Sequence, residues 1–426
     1  MRIGLLQLAR LGDWVQTMPL FHALRQRFPN TEIVPLCDAR VVDAVSLLTD
    51  CEPFALPFPD LSLPFALPYE AYRSIAVKLQ ELPRFDWILR CNDTPLARLL
   101  QSILTKQHPN CYFQPMNVAI LRSEAVVRTL PMLPPEARIH VSDLWRWRVS
   151  DEANLPAITW SEPVQEISVA VGSGGKERQW GFERLFLTVQ IAKQFGKVYL
   201  VGTAQERAIA AALLLHFPAD ESIVDCTGNE TLYELSERLK KPGSVLTGLD
   251  SGALHFASFH GAATFGLYEN KAYPFTTGAI GSIAAGCWRE QGVESDDWAF
   301  SLKQFLNDPS KFSPEFSGEF RYDTSRLSRI EMTGPQVTSQ QQRIRDWLQA
   351  FLTHRIPNET IAAHEPFCSL EKRLLHWEDR RYEPDSKPYP LFPESIEENL
   401  LTTLHWSLTE LESLKESKRI SMARAG

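Results

Sequence analysis

The chain has 426 residues, too many for one ordinary core, and its 44% hydrophobic and 23% charged content is that of a soluble globular protein of two domains. A formal charge of −8 argues against nucleic acid as a principal partner, since phosphate binding needs a basic surface. No apolar run approaches the roughly 18–20 residues that span a bilayer, and the N-terminus lacks a signal peptide's apolar core, so a cytoplasmic protein is expected. The seven cysteines, Cys37, Cys51, Cys91, Cys111, Cys226, Cys287 and Cys368, lie far apart with no CxxC pair. That spacing fits reduced thiols rather than a zinc site or a disulfide framework.

In chain order, Arg2–Leu8 reads as a buried strand leading to a turn at Gly12, and Trp14–Phe28 has helical spacing. TEIVPLC, Asp86–Cys91 and CYFQP read as further strands. Helical stretches near 39–48, 69–81 and 94–104 separate them. The segment from about Ser142 to Pro163 reads as an interdomain connection. Alternation then restarts. Glu166–Ser173 is a strand, a helix begins near Phe182, and Lys197–Thr203 is a strand before the helix Gln205–Leu215. Thr231–Lys241 is an amphipathic helix, and Ser244–Asp250 and Ala262–Tyr268 are strands. Strands alternating with helices predict parallel, doubly wound sheets. From Gly286 to Thr333 no period is visible. Val337–Ile356 reads as a helix, and apolar stripes recur toward the C-terminus.

Three segments carry candidate chemistry. In LARLGDWVQTMP, Asp13 sits near a helix start at the carboxyl end of the first strand, where open α/β sheets bind ligands. From position alone it reads more readily as a helix N-cap. In VGSGGKERQW, Ser173, Gly174 and Gly175 allow backbone amides to approach a phosphate, with Lys176 and Arg178 to neutralise it. The alternative is a flexible turn with solvated charges, for neither a Walker A loop nor GxGxxG is present. In GLDSGALHFA, Asp250 ends a strand and Ser251, Gly252 and Ala253 open a helix whose free amides attract anions, with His255 one turn on. Here the alternative is Asp250 as a cap and His255 as a packed histidine.

Taken together, LGDWVQTMPLFHALRQRFP, GSGGKERQW, VYLVGTAQE, TGNETLYEL and TGLDSGALHFASFHG resemble glycosyltransferase family 9, the bacterial lipopolysaccharide heptosyltransferases, over roughly residues 1–281. The resemblance implies a GT-B fold: two doubly wound Rossmann-like domains facing across a cleft, with a helical C-terminal extension. The expected divisions are residues 1–160 for acceptor binding, 161–335 for the nucleotide sugar, and 336–426 for the extension, which would pack on the N-terminal domain or mediate a homo-oligomer.

It further implies an inverting, metal-independent transfer from ADP-heptose with no cofactor. Asp13 matches the family's general base, and Arg178 falls where the family has a phosphate-contacting lysine. Ser173, Gly174 and Lys176 fall in the donor loop, and Asp250, Ser251, Gly252, Ala253 and His255 in the donor turn. Glu206 is the candidate partner of the nucleoside ribose. The chain departs from the family in Arg178 for lysine, in Gly174 for a hydroxyl residue, in YENKAYPFTTGAIG after the donor turn, and in its longer tail. The expected acceptor is a lipopolysaccharide core, another glycan or lipid-linked sugar, or a protein, with peripheral contact at the inner membrane in the lipid case. Phe54, Phe58, Phe65 and Tyr69 line an acceptor entrance or pack a surface loop. Two other functions fit the same features: a UDP- or GDP-sugar transferase of the same fold, or a degenerate family member acting as a binding module.

Overall fold

The computed structural model describes residues 1–57, 75, 77–92, 97, 100, 104, 112–113, 140–146, 160, 162–173, 181–218, 220–269, 274–281, 283–289, 297–314, 319–323 and 329–332. The chain divides into two compact units. The described residues of Met1–Ala9 and Phe28–Glu124 belong to one, and those of Arg10–Arg27 and Ala125–Cys368 to the other.

The first unit holds a five-stranded parallel sheet in the order β3-β2-β1-β4-β5. Its strands are β1 (Arg2–Leu6), β2 (Glu32–Asp38), β3 (Phe54–Leu56), β4 (Trp87–Arg90) and β5 (Tyr112–Phe113). RIGLL is apolar on both faces, and Ile3, Leu5 and Leu6 are fully buried, as a central strand covered on both sides requires. Leu6, Leu36, Leu56, Ile75, Leu79 and Ile88 share one core cluster. Ala39–Leu48, expected to be one helix, is a single 3-10 turn followed by α2 (Val42–Thr49). Phe54, expected in an aromatic loop, lies in β3. Phe58, Phe65 and Tyr69 lie outside the described residues.

The second unit holds an eight-stranded sheet in the order β13-β12-β11-β10-β9-β6-β7-β8. These strands are β6 (Glu166–Ala170), β7 (Lys197–Val201), β8 (Ile223–Asp225), β9 (Ser244–Leu249), β10 (Ala263–Glu269), β11 (Ala284–Arg289), β12 (Glu319–Asp323) and β13 (Arg329–Met332). Strands β6 to β11 pair in parallel, while β12 joins β11 and β13 joins β12 antiparallel. The helices are α3 (Val141–Arg146), α4 (Phe182–Ala192), α5 (Arg207–Leu214), α6 (Leu232–Leu239), α7 (Gly252–Phe259), α8 (Pro274–Thr277) and α9 (Asp297–Asn307). α1 (Leu11–Arg27) also belongs to this unit and packs on α7 and α3.

Three expectations are corrected. Gly286–Thr333 is not without regular structure: most of β11, then α9, β12 and β13 fall there, and Trp298, Leu302, Phe305 and Leu306 of α9 are buried in the sheet's core cluster. Residues 142–146, expected to begin a connection, belong to the helix Val141–Arg146 of the second unit. The first helix starts at Leu11, so Gly12 is inside its first turn and not in a loop before it. The expected helix Val337–Ile356 and all of residues 336–426 lie outside the described residues.

Because β6 pairs with β7 on one side and β9 on the other, the strand order of the second sheet reverses there. The carboxyl ends of such strands are where doubly wound sheets bind ligands. They carry Val171–Ser173 and Asp250–Ser251.

Candidate functional site

Asp13 is the third residue of α1, and its Oδ2 accepts the backbone N–H of Arg10 at 3.1 Å. An acid at this position reaching back to the residue before the helix is half of a capping box. Asp13 therefore does not cap the helix from the N-cap position, the alternative its sequence context allowed. Its surface is half-buried, but its surroundings are dense enough that loss of solvation dominates and raises its pKa above the usual carboxylate value. His255, the Arg10 backbone N–H and the Arg10 charge pull the other way, and Asp250 adds to the rise.

At the end of β9 the chain turns into α7. Ser251 is the N-cap, its hydroxyl accepting from Leu254 N at 3.4 Å. With capping done by Ser251, Asp250 is left for another role: its Oδ1 lies 3.3 Å from Nε2 of His255, and both side chains are buried. A carboxylate can only accept here, so Nε2 carries the proton. The other ring nitrogen, Nδ1, is buried with no hydrogen-bond partner. The amides of Gly252 and Ala253, in the first turn of α7, lack intrahelical acceptors.

The first turns of α1 and α7 meet closely. A Cβ built on Gly12 would lie 2.9 Å from Cδ2 and 3.4 Å from Nε2 of His255, and one built on Gly252 would lie 3.2 Å from Cβ of Leu11. Glycine at position 12 is what lets the helix carrying Asp13 approach the ring of His255. The half-buried Asp13 is thereby brought next to the buried Asp250–His255 pair, which lies more than 200 positions further along the chain.

A second feature beside it was not legible in the sequence. Thr277, the last residue of α8, and the two residues after it are held by side chains of different elements. Gln16 of α1 donates to Thr277 O at 2.7 Å, His140 lies 2.9 Å from Gly278 O, and Ala279 N donates to the Tyr268 hydroxyl at 3.0 Å. Ser142 N donates to His140 Nδ1 at 3.2 Å, so Nε2 must carry the proton it gives Gly278, and the ring is neutral. Burial, with a smaller push from His255, lowers the pKa of His140 to about 3 despite the Gly278 carbonyl. Burial likewise pushes the Tyr268 hydroxyl up, with Asp250 adding to the rise.

Ser173 is buried just beyond the carboxyl end of β6. Glu206 closes a capping box on Thr203, its Oε2 accepting from the backbone N–H at 2.6 Å and from the hydroxyl. A Cβ on Gly172 would lie 2.4 Å from Glu206 Cγ, so Glu206 packs against the segment leading to Ser173. Gly174, Lys176 and Arg178 lie outside the described residues. Among the described residues no three His, Cys, Asp or Glu side chains are grouped to hold a metal ion, and no helix is long and apolar enough to cross a membrane.

Such a group offers a carboxylate with raised proton affinity, an imidazole with a fixed proton on one edge, and helix-start amides suited to an anion. No protein-family profile matches the chain, and no curated protein matches it in sequence. Among solved structures it is similar to the E. coli ADP-heptose lps heptosyltransferase II, with 16% identity over 72% of this chain and 98% of that one, at a TM-score of 0.51. It is similar to the E. coli heptosyltransferase WaaC with ADP at 12% identity, over 72% of this chain and 100% of that one, TM-score 0.51. WaaC with ADP-2-deoxy-2-fluoro heptose gives 14% identity, 72% and 99% coverage, and a TM-score of 0.50. At these identities the likeness is one of fold, and the chain has the GT-B fold of those heptosyltransferases.

Proposed function

We propose that the protein is an inverting glycosyltransferase that moves a sugar from a nucleotide-diphosphate donor to an acceptor hydroxyl, with Asp13 as base. The observation that carries this reading is the approach of Asp13, at the start of α1, to Asp250 and the first turn of α7 at the carboxyl end of β9. The acceptor O–H breaks and its proton passes to the Asp13 carboxylate as the oxygen attacks the anomeric carbon. The bond from that carbon to the diphosphate breaks, and its electron pair leaves with the phosphate oxygen. Gly252 and Ala253 amides, with Lys176 and Arg178, would stabilise the charge that develops there. Ser173 and Gly174 would contact the donor, and Glu206 its ribose. Asp250 would orient the transferred sugar.

ADP-heptose is the donor this reading favours, on the donor-turn motif and on the fold shared with heptosyltransferases, one of them solved with ADP. The acceptor is a glycan, a lipid-linked sugar or a protein side chain. A panel of ADP, UDP and GDP in a thermal-shift assay, followed by mass spectrometry of acceptors incubated with the matching nucleotide sugar, tests it. Selective stabilisation by ADP and a mass gain of one heptose are expected. Stabilisation by UDP or GDP alone moves the donor assignment, and transfer from none of the three nucleotide classes overturns the enzymatic reading.

A further inference from the structure

Of Asp13, Asp250 and His255, His255 is the one whose part in transfer the base-and-donor reading leaves open. Its ring has two unequal edges. The Cδ2–Nε2 edge meets both Asp250, at 3.3 Å, and the first turn of α1, where Gly12 leaves room for little more than a hydrogen. The opposite edge carries Nδ1, buried without a partner. A histidine retained only to fill space gains nothing from a buried unsatisfied nitrogen, which costs free energy that an apolar side chain would not. The one hydrogen bond this ring makes is to Asp250, on the same edge that faces Gly12, the neighbour of Asp13.

We propose that His255 is a positioning residue that joins Asp13 to Asp250 through this one ring edge, so that the base and the donor turn act as a unit. This rests on the reading of Asp13 as the base. His255 does not receive the substrate proton, which ends on Asp13. It anchors Asp250 by a hydrogen bond and, when charged, opposes the desolvation that raises the proton affinity of Asp13. Asp13 and Asp250 repel once both are ionised, and a protonated ring bonded to Asp250 and packed against Gly12 relieves that repulsion.

Among the described residues, the groups facing the cluster are Arg10 just ahead of α1, Asp13 in its first turn, Asp250 from the end of β9, Tyr268 from β10 and His140 ahead of α3. Glu237 and Lys240, from the α6 side of α7, act on His260 just past its far end instead. Arg10 and the Arg10 N–H also favour ionised Asp13, so removing His255 weakens that state without abolishing it.

The test is the carboxyl titration of Asp13, followed by carbon-13 NMR in aspartate-labelled full-length protein and assigned by its loss in Asp13→Asn. In His255→Gln the titration is expected to move to higher pH, kcat at neutral pH to fall by about 10²-fold as orientation is lost, and stabilisation by ADP to persist. An unchanged titration in a folded His255→Gln protein overturns the proposal. Should that variant fail to fold, His255→Asn and nitrogen-15 spectra of the wild-type imidazole decide it. A proton on Nε2 with Nδ1 bare when the ring is neutral is expected, and the reverse tautomer overturns it. A wild-type protein that transfers no sugar defeats the catalytic reading while leaving the titration result standing. A normal rate with an unmoved titration defeats this inference alone.

Discussion

Gly12 and His255 are 243 positions apart, yet a methyl group on the first would lie 2.9 Å from the ring of the second. That approach sets Asp13 beside the start of α7, and it yields the first prediction. In Gly12→Ala the new Cβ meets a buried ring whose Nε2 is tied to Asp250, so the ring or the helix start must shift. Overpacking of this kind costs roughly 1–3 kcal/mol. Chemical denaturation should show that loss, with a fall in kcat beyond what the unfolded fraction accounts for. Wild-type stability and rate would remove the close approach.

Asp13 has opposite effects on stability and on activity. Its folded pKa is raised, so between the unfolded value and the folded one the native state binds the extra proton, and stability falls as pH rises through that window. Above it the penalty is complete. Asp13→Asn, which keeps an oxygen for the Arg10 N–H, is therefore expected to melt higher than wild type at neutral pH and to lose that advantage in acid below the usual carboxylate range. Equal melting temperatures at every pH would contradict the desolvation. For activity the base must be ionised, so the acid limb of kcat against pH should sit above the ordinary carboxylate range.

His140 predicts an acid-sensitive element. Its folded pKa of about 3 lies below the ordinary histidine value, so the unfolded chain binds more protons between them, and stability contributed by the neutral ring is lost as pH falls through that window. His140→Gln, which cannot be protonated, should be less stable at pH 7, by roughly 1–3 kcal/mol for the weakened Gly278 and Ser142 bonds. Its stability should also decline less steeply between pH 6.5 and 4. A parallel decline in both proteins would show that His140 is not the titrating group.

The buried pair Arg238 and Glu230 offers a test remote from the site. Arg238 also donates to Ser168 and lies over the Tyr199 ring at 4.3 Å. Arg238→Ala leaves Glu230 without its partner at a mostly buried position and should cost about 3–5 kcal/mol. Folded variant should still respond to nucleotide. A cost under 1 kcal/mol would mean the pair is effectively solvated.

Strands and helices with local signatures were legible. α4 begins at Phe182 where periodicity starts, and α6 follows the Thr231–Glu234 capping box. The turn from β9 into α7 was readable because an apolar run ends on Asp250 before small residues. The start of α1 was not, since Leu11–Gly12 has the look of a turn, and only packing against α7 rewards helix there. Of β11 to β13, the last two are short antiparallel strands with β13 at the sheet's edge, and their pairing partners carry the information that their own sequences lack. The role of Asp13 was suggested by motif, whereas its dense surroundings follow from long-range packing. Gln16 and Thr277, 261 positions apart, could not be paired from sequence at all. Motifs name the chemistry, and tertiary packing decides which of its groups are desolvated.

The most direct measurement compares initial rates of sugar transfer by wild type and Asp13→Asn under a saturating donor, with donor affinity measured by calorimetry on the same preparations. A general base at position 13 requires a loss of ~10²–10⁴ in kcat with donor affinity retained. Transfer by the asparagine variant at the wild-type rate would mean that another group takes the acceptor's proton.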